Sequence, residues 1–401
     1  AKKKRKNRKR IEKRIMKVLY CNPSFWEYRL PFYEALNRMF GGNFHVLYST
    51  KRFTHGHEKL LKDIKKILGE NAHPYDSEFM YDVHTHSFRK YSEEYKQIPL
   101  PFGLWRRIEK ISPDVLITEG FFQWTPIVQL WARIHRRPIF MGYERTLHTE
   151  RKNSKIKTWI RKIQDKWITG YLVNGQETRA YLESIGIDTL KIHEIGMCAD
   201  SDGLRRDVFS FKKTGACLDF RSKFDHGGLV YLFTGKLIER KGVIPLLRAW
   251  EQHRMCYPND TLVLVGDGDL KDECRKVVQN DDSVFLEGRV DYGKVHRYYA
   301  IADVYVLPTI EDNWSLVVPE AMACGLPVAT SIYNGCHKEL IEEGENGVTF
   351  DTFNKVSIAN ALSFFHGKDL VRMGLKSVEI EKRFDTEKCA SREYEVIINI
   401  I

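Results

Sequence analysis

The sequence has no apolar run close to the roughly eighteen residues that a membrane-spanning helix requires. Its longest runs, such as "LVYLF" and "TLVLV", are strand-sized, so nothing in it is expected to span a bilayer. The basic N-terminal stretch is followed by neither an apolar core nor a small-residue cleavage site. No secretory signal is therefore visible, and the chain is expected to stay in the cytoplasm. Cysteine is present but unpatterned: Cys21, Cys198, Cys217, Cys256, Cys274, Cys324, Cys336 and Cys389 form no C-x-x-C pair and no Cys/His cluster at zinc spacing. They are expected to be reduced and mostly buried. A G-x-x-x-x-G-K-[ST] loop is lacking, which disfavours a nucleoside triphosphatase. No D-x-D metal motif is read at a strand end, and the "DSD" of residues 200–202 falls in a linker and reads as a turn or helix cap, so no metal is expected. Internal repeats are missing, and so are low-complexity tracts outside the N-terminal tail.

The net charge of +11 resembles a nucleic-acid signal until it is located. Residues 1–17, "AKKKRKNRKRIEKRIMK", hold eleven Lys and Arg and one Glu, leaving 53 basic against 52 acidic residues in all the rest. The charge belongs to a tail. Such a block suits an anionic membrane surface, where each cation contributes about 1 kcal/mol. It also suits a solvated arm, and suits a nucleic-acid or import patch least.

At 401 residues with 43% hydrophobic content, two globular domains are expected. Short β-branched runs alternate with helical stretches: "KVLYC" (17–21), "FHVLYS" (44–49), "DVLITEG" (114–120), "PIFMG" (138–142) and "GYLVNG" (170–175). The rhythm restarts at "GLVYLFTG" (228–235) and continues through "DTLVLVGDG" (260–268), "VFLEG" (284–288), "DVYVLP" (303–308), "PVATS" (327–331) and "GVTFD" (347–351). This predicts an α/β protein of two doubly wound, Rossmann-like domains facing a central cleft. Residues 198–228 read as a linker plus a peripheral helix, with the hinge near 200–205.

In open α/β sheets ligands bind beyond the carboxyl ends of the strands. "FTGKLIERKG" leaves a strand through Gly235 and places Lys236 and Lys241 beside a helix start, a pairing suited to a diphosphate. Two solvated lysines on a loop would look the same. Gly266 and Gly268 permit tight turns after another strand. Gly288 and Arg289 end a third, where backbone groups can approach a planar base. "EDNWSLVVPEAMACGLPV" then sets Asp312 before, and Glu320 within, the first turn of a helix over Leu316–Cys324. Ser315 is its expected N-cap, and the backbone donors of Asn313, Ser315, Leu316 and Val317 are directed at an anion. A carboxylate beside a phosphate would repel it, so the two acids suit sugar hydroxyls.

Together "GKLIERKG", "LVGDGDL", "VFLEGRV", "YYAIADVYVLPT" and "EDNWSLVVPEAMACGLPVATS…NGCHKELIEEGENGVTF" resemble the donor-binding half of glycosyltransferase family 4, retaining enzymes of the GT-B fold. The N-terminal half resembles that family's acceptor domain more weakly, through "NPSFWEYRLPFYEAL" and "YERTLHTERK". The resemblance implies that Lys236 and Lys241 hold the donor diphosphate, that Glu320 binds the nucleotide ribose and that Asp312 contacts the donor sugar. Aspartate is a methylene shorter than the family's usual glutamate there, and Glu311 is an alternative. Ser315 stands where the family has glycine. No cofactor is implied beyond a UDP-, GDP- or other nucleotide-sugar donor. The resemblance also implies retention by front-face attack, the departing phosphate oxygen helping to take the acceptor proton.

On the acceptor side Glu144 and His148 follow a strand and are candidates to orient the reacting hydroxyl. Tyr28 and Arg29 are candidates for the acceptor pocket, and Glu119 and Gly120 are weaker ones. "RKNSKIKTWIRKIQDKW" (151–167) carries Ile156, Trp159, Ile160, Ile163 and Trp167 at helical spacing. Such a stripe usually faces a core, and otherwise a membrane. The domains expected are a tail over 1–16, an acceptor domain over 17–200, a donor domain over 205–375 and a helix over 376–401 crossing back. The partners expected are a nucleotide sugar, a saccharide or lipid-linked acceptor and, through the tail, an anionic membrane. Competing readings are a glycosidase using Asp312 and Glu320, which leaves the lysines unexplained; a sugar-nucleotide epimerase of the same fold; and a non-catalytic sugar-nucleotide or nucleic-acid binding protein.

Overall fold

The computed structural model describes residues 16–25, 27–52, 58–83, 96–121, 123–199, 201–279 and 281–401. Residues 1–15 of the basic tail, and with them the tail's expected membrane contact, lie outside the described residues. The chain divides into two compact units. One holds residues up to Gly142 with Lys166–Thr169 and Tyr394–Ile401; the other holds Tyr143–Asp165 and Gly170–Glu393.

The first unit is built on β1 (Val18–Cys21), β2 (Phe44–Ser49), β3 (Ala72–Tyr75), β4 (Glu78–Val83), β5 (Lys96–Pro101), β6 (Val115–Glu119) and β7 (Ile139–Tyr143). Its parallel order is β3-β2-β1-β6-β7, while β4 and β5 form a separate antiparallel ribbon. Buried Val18, Leu19, Val46, Leu116, Ile117 and Phe140 make these strands nearly continuous hydrophobic runs, as a sheet covered on both faces requires. β3, read from Ala-His-Pro-Tyr, carries no strand signal. Its proline is tolerated because β3 has a partner only on the β2 side.

The second unit contains the parallel pair β8 (Gly170–Val173) and β9 (Ile192–Glu194) and a six-stranded parallel sheet. The sheet's strands are β10 (Val230–Thr234), β11 (Thr261–Val265), β12 (Val284–Gly288), β13 (Val304–Leu307), β14 (Val328–Ser331) and β15 (Gly347–Phe350), in the order β12-β11-β10-β13-β14-β15. The direction of winding reverses between β10 and β13. Such a reversal splays the loops apart and opens a ligand crevice at the strand ends. Both halves are Rossmann-like, as the alternation of strands and helices predicts.

Two expectations need correction. Residues 198–228 hold two helices, Ser201–Lys212 and Gly215–Arg221, and Leu204, Val208, Cys217 and Phe224 are buried in the second unit's core. Their Asp and Lys content reflects only the solvent side of those helices. The apolar stripe of helix Lys155–Asp165 does not face a core: Ile156, Trp159, Ile160 and Ile163 are exposed, and the buried residues are Arg161 and Gln164. The seven buried cysteines and exposed Cys256 are all free thiols, as their spacing suggests.

Candidate functional site

The reversal point of the second sheet is filled from within by hydroxyls. Thr234 Oγ1, at the end of β10, lies 2.9 Å from the Tyr299 hydroxyl and 3.0 Å from that of Tyr305. Tyr299 in turn donates to Glu320 Oε2, and Tyr292 donates to Glu320 Oε1, each at 3.4 Å. Burial first, and then the Glu320 charge, push the Tyr299 phenol well above its ordinary value, so it remains a donor. Glu320 is thus presented by two phenols of the helix Tyr292–Ile301.

Asp312 is the second fixed carboxylate. Lys241 Nζ lies 2.6 Å from Oδ2 and an Arg240 guanidinium nitrogen 3.6 Å from Oδ1, while the Ser315 hydroxyl donates to Oδ2. Burial alone would raise this carboxyl, but Lys241, the Ser315 hydrogen bond and Arg240 together hold it below the usual carboxylate range. Ser315 was expected to cap the following helix and does not. The helix runs Val317–Ala323 with Leu316 at the N-cap position and no side-chain cap. The Ser315 hydroxyl is drawn instead to the stronger, charged acceptor three residues back.

A loop from the end of β14 closes over this carboxylate. Gly335 N–H donates to the Asp312 carbonyl, and Asn334 Oδ1 accepts the Ser315 N–H. A Cβ on Gly335 would lie 2.1 Å from the Asn313 carbonyl, so only glycine admits the approach. The segment after β7 braces the same loop. His148 Nε2 lies 2.9 Å from the Ile310 carbonyl, and since a carbonyl only accepts, this nitrogen carries the proton. Burial and then Arg151 lower the His148 pKa, favouring the neutral ring. Arg151 reaches Glu311 at 2.5 Å. Asn174, just beyond β8, donates towards the carbonyls of both Glu144 and Asn313 and accepts from Thr178. The buried Asn313 Oδ1 and Trp314 Nε1 have no partner among the described residues, so this loop retains unspent hydrogen-bonding groups.

The structure brings Lys241, Asp312, Asn313 and Ser315 together, with His148 and the Glu144 backbone braced against the same loop. Leu316 and Val317 occupy the N-cap and the first helical position. Lys236 and Arg289 are exposed, at the ends of β10 and β12. Gly235 and Gly266 meet each other: a Cβ on Gly266 would lie 1.7 Å from the Gly235 carbonyl, which accounts for the glycine where two adjacent parallel strands end. The expectation that no D-x-D stands at a strand end needs correction: Asp267 and Asp269 follow β11. Asp267 is engaged by the Gly268 N–H and by Lys271.

In the first unit Arg29 lies 3.4 Å from Glu119 at the β1/β6 reversal point, with its guanidinium 5.8 Å from the Tyr28 ring centre. Tyr20 also donates to Glu119. Asn174, Asn334 and Tyr299 carry no signal beyond an Asn after a strand or an aromatic in a helix. One His-Asp-His group, His253 with Asp260 and His366, is compact enough to hold a cation among the described residues. It stands at the start of β11, the opposite end of that sheet from Asp312.

Residues 228–366 match the family model described as "Glycosyl transferases group 1". The phosphatidyl-myo-inositol mannosyltransferase of Mycobacterium leprae is 25% identical over 68% of this chain and 71% of its own. The alpha-monoglucosyldiacylglycerol synthase of Acholeplasma laidlawii is 24% identical over 38% of this chain and 39% of its own. HepE of Anabaena, solved with UDP, superposes with a TM-score of 0.72 at 17% identity over 96% of this chain and 100% of that one. The chain is a glycosyltransferase of the GT-B fold. The group 1 match coincides with the sheet whose reversal point holds Glu320 and Asp312. Among the described residues, no helix of this glycosyltransferase is long and apolar enough to cross a membrane.

Proposed function

We propose that the glycosyltransferase moves a sugar from a nucleotide-diphosphate sugar, with retention and without a metal ion, to a saccharide or lipid-linked saccharide acceptor in glycan synthesis. The observation that carries this reading is the Lys241–Asp312 ion pair beside Glu320 at the reversal point of the donor-half sheet. A diphosphate arriving there competes with Asp312 for Lys241. As Lys241 turns to the phosphates, Asp312 is released to accept hydroxyl protons from the sugar. Lys241, exposed Lys236 and the loop amides then oppose the charge that grows on the leaving diphosphate. Glu320, its geometry fixed by Tyr292 and Tyr299, accepts from the ribose hydroxyls.

HepE is solved with UDP and glucose, one relative is named as a mannosyltransferase of phosphatidyl-myo-inositol and another as the synthase of a glucosyldiacylglycerol, which supports a nucleotide sugar and a lipid-bearing acceptor. Front-face displacement, with the phosphate oxygen receiving the acceptor proton, follows from the family resemblance and needs no carboxylate nucleophile. In this mechanism His148, whose Nε2 proton is engaged by Ile310, acts by holding the donor loop.

Calorimetry with UDP, GDP and ADP in EDTA tests the reading. The expected result is one preferred nucleotide in wild type, with roughly tenfold or greater loss in Glu320→Ala. Binding that appears only on adding a divalent cation would overturn the metal-free reading. No binding of any nucleotide would overturn the donor site.

A further inference from the structure

The helix Lys155–Asp165 packs with its polar side inward. Buried Arg161 donates to Glu150 Oε2 at 2.8 Å and to the Tyr181 hydroxyl, and its guanidinium stands 6.0 Å from the Tyr143 ring centre. This network fixes the helix's rotation. It turns outward Ile156 (72% exposed), Trp159 (63%), Ile160 and Ile163, spaced i, i+3, i+4, i+7 along one face. Leu190, 82% exposed, stands in a turn whose Lys191 ammonium is 3.1 Å from Asp165. Exposed Lys152, Lys155, Lys157 and Lys162 border the face. The adjoining carboxylates Glu150 and Asp165 are held by Arg161 and Lys191.

We propose that this face docks on an anionic lipid bilayer, the Trp and Ile side chains entering the headgroup–acyl boundary and the lysines meeting anionic headgroups. Charge complementarity selects this occupant. The chain's own tail, with eleven cations in seventeen residues, would be repelled. A second copy docking face to face would set lysine against lysine. A bilayer with anionic lipid offers acyl chains and negative charge in one surface, which is what an apolar face bordered by lysines requires. The inference does not rest on the identity of the donor or the acceptor, and concerns a face separate from the Asp312 site.

Flotation of the full chain with vesicles of phosphatidylcholine, alone or mixed with phosphatidylglycerol, tests it. Wild type should float with the mixed vesicles and not with phosphatidylcholine alone. Ile156→Ser/Trp159→Ser, which removes apolar surface and leaves every charge in place, should weaken that binding by roughly tenfold or more. Leu190→Ser should weaken it less. All these sites are exposed, so melting temperatures should be unchanged. Equal flotation of wild type and the double serine variant would assign binding to the basic tail and overturn the proposal. So would no flotation of wild type. A self-associated wild type that the double variant converts to monomer, seen by light scattering, would assign the face to a second copy and also overturn it.

Discussion

The two units place an ion pair at the same topological position and build it differently. At the β1/β6 reversal Arg29 meets Glu119 at 3.4 Å, supported by a side chain, Tyr20. At the β10/β13 reversal Lys241 meets Asp312 at 2.6 Å, inside a loop held by backbone bonds to Tyr333 and Gly335 and beside strand ends that meet at Gly266. The first is a site of side chains on a permissive backbone. The second is a site in which the backbone itself is constrained. On the proposed function, a donor with a fixed diphosphate calls for the constrained design, whereas an acceptor surface can change with its side chains.

The largest expected effect would break the comparison at its backbone. Gly266→Ala drives a Cβ into the Gly235 carbonyl and should cost about 3 kcal/mol or more in urea unfolding. Gly120→Ala, at the first reversal, has a left-handed φ of 63° but open space around it, and should cost only about 1 kcal/mol. Equal costs would remove the distinction. Next, on the proposed function, Lys241→Ala should lower sugar transfer by roughly a hundredfold, because the leaving diphosphate loses a cation that opposes its charge. Arg29→Ala should lower transfer by only about tenfold, and nucleotide affinity measured by calorimetry should not change. A loss of nucleotide affinity in Arg29→Ala would show that the two sites are not divided between donor and acceptor.

The smallest effect separates the units by pH. Burial raises Glu339, and likewise Glu381, to about 7, so the folded second unit keeps protons that the unfolded chain releases near 4.5. Their contribution is full below about 4.5 and lost as pH rises through 7. Glu339→Gln should therefore stabilise the protein by about 1 kcal/mol near pH 8, and by nothing near pH 4.5. In the first unit, burial and then the neighbouring His73 lower His45 to about 4. That contribution is full above 6.5 and lost as pH falls through 4. His45→Gln should thus show its benefit at the acid end of the same urea series.

The same contrast explains what could be read without coordinates. Every strand of the six-stranded sheet was legible, because runs such as "LVYLF", "TLVLV" and "VYVL" mix β-branched, aromatic and other apolar residues without a charged break and end near Gly or Pro. β3 and β9 were not: edge strands of four and three residues need little hydrophobic content and carry no periodic signal. Asp312 and Lys241 were legible because each stands in a linear motif at a strand end. Asn174 and Asn334, which bond to the neighbouring Asn313 and Ser315 backbone, were not, since each is brought to the loop by tertiary packing from a different strand. The outward stripe of Lys155–Asp165 was misjudged because periodicity marks an apolar face without saying which way it points. The Arg161–Glu150–Tyr181 network decides the direction, and its residues are distant in sequence.

His148 and Asn174, which come before the helix Ser201–Lys212, fasten to Ile310 and Asn313 after it. This bears on how the enzyme could be recombined with its relatives. A chimera joined at residue 200 would receive a foreign donor motif while keeping the host's braces for it, and the two would have to be matched by chance. A junction at residue 142 would carry motif and braces together. On the proposed function, donor preference should therefore travel between such enzymes as a segment that begins well upstream of the helix Ser201–Lys212.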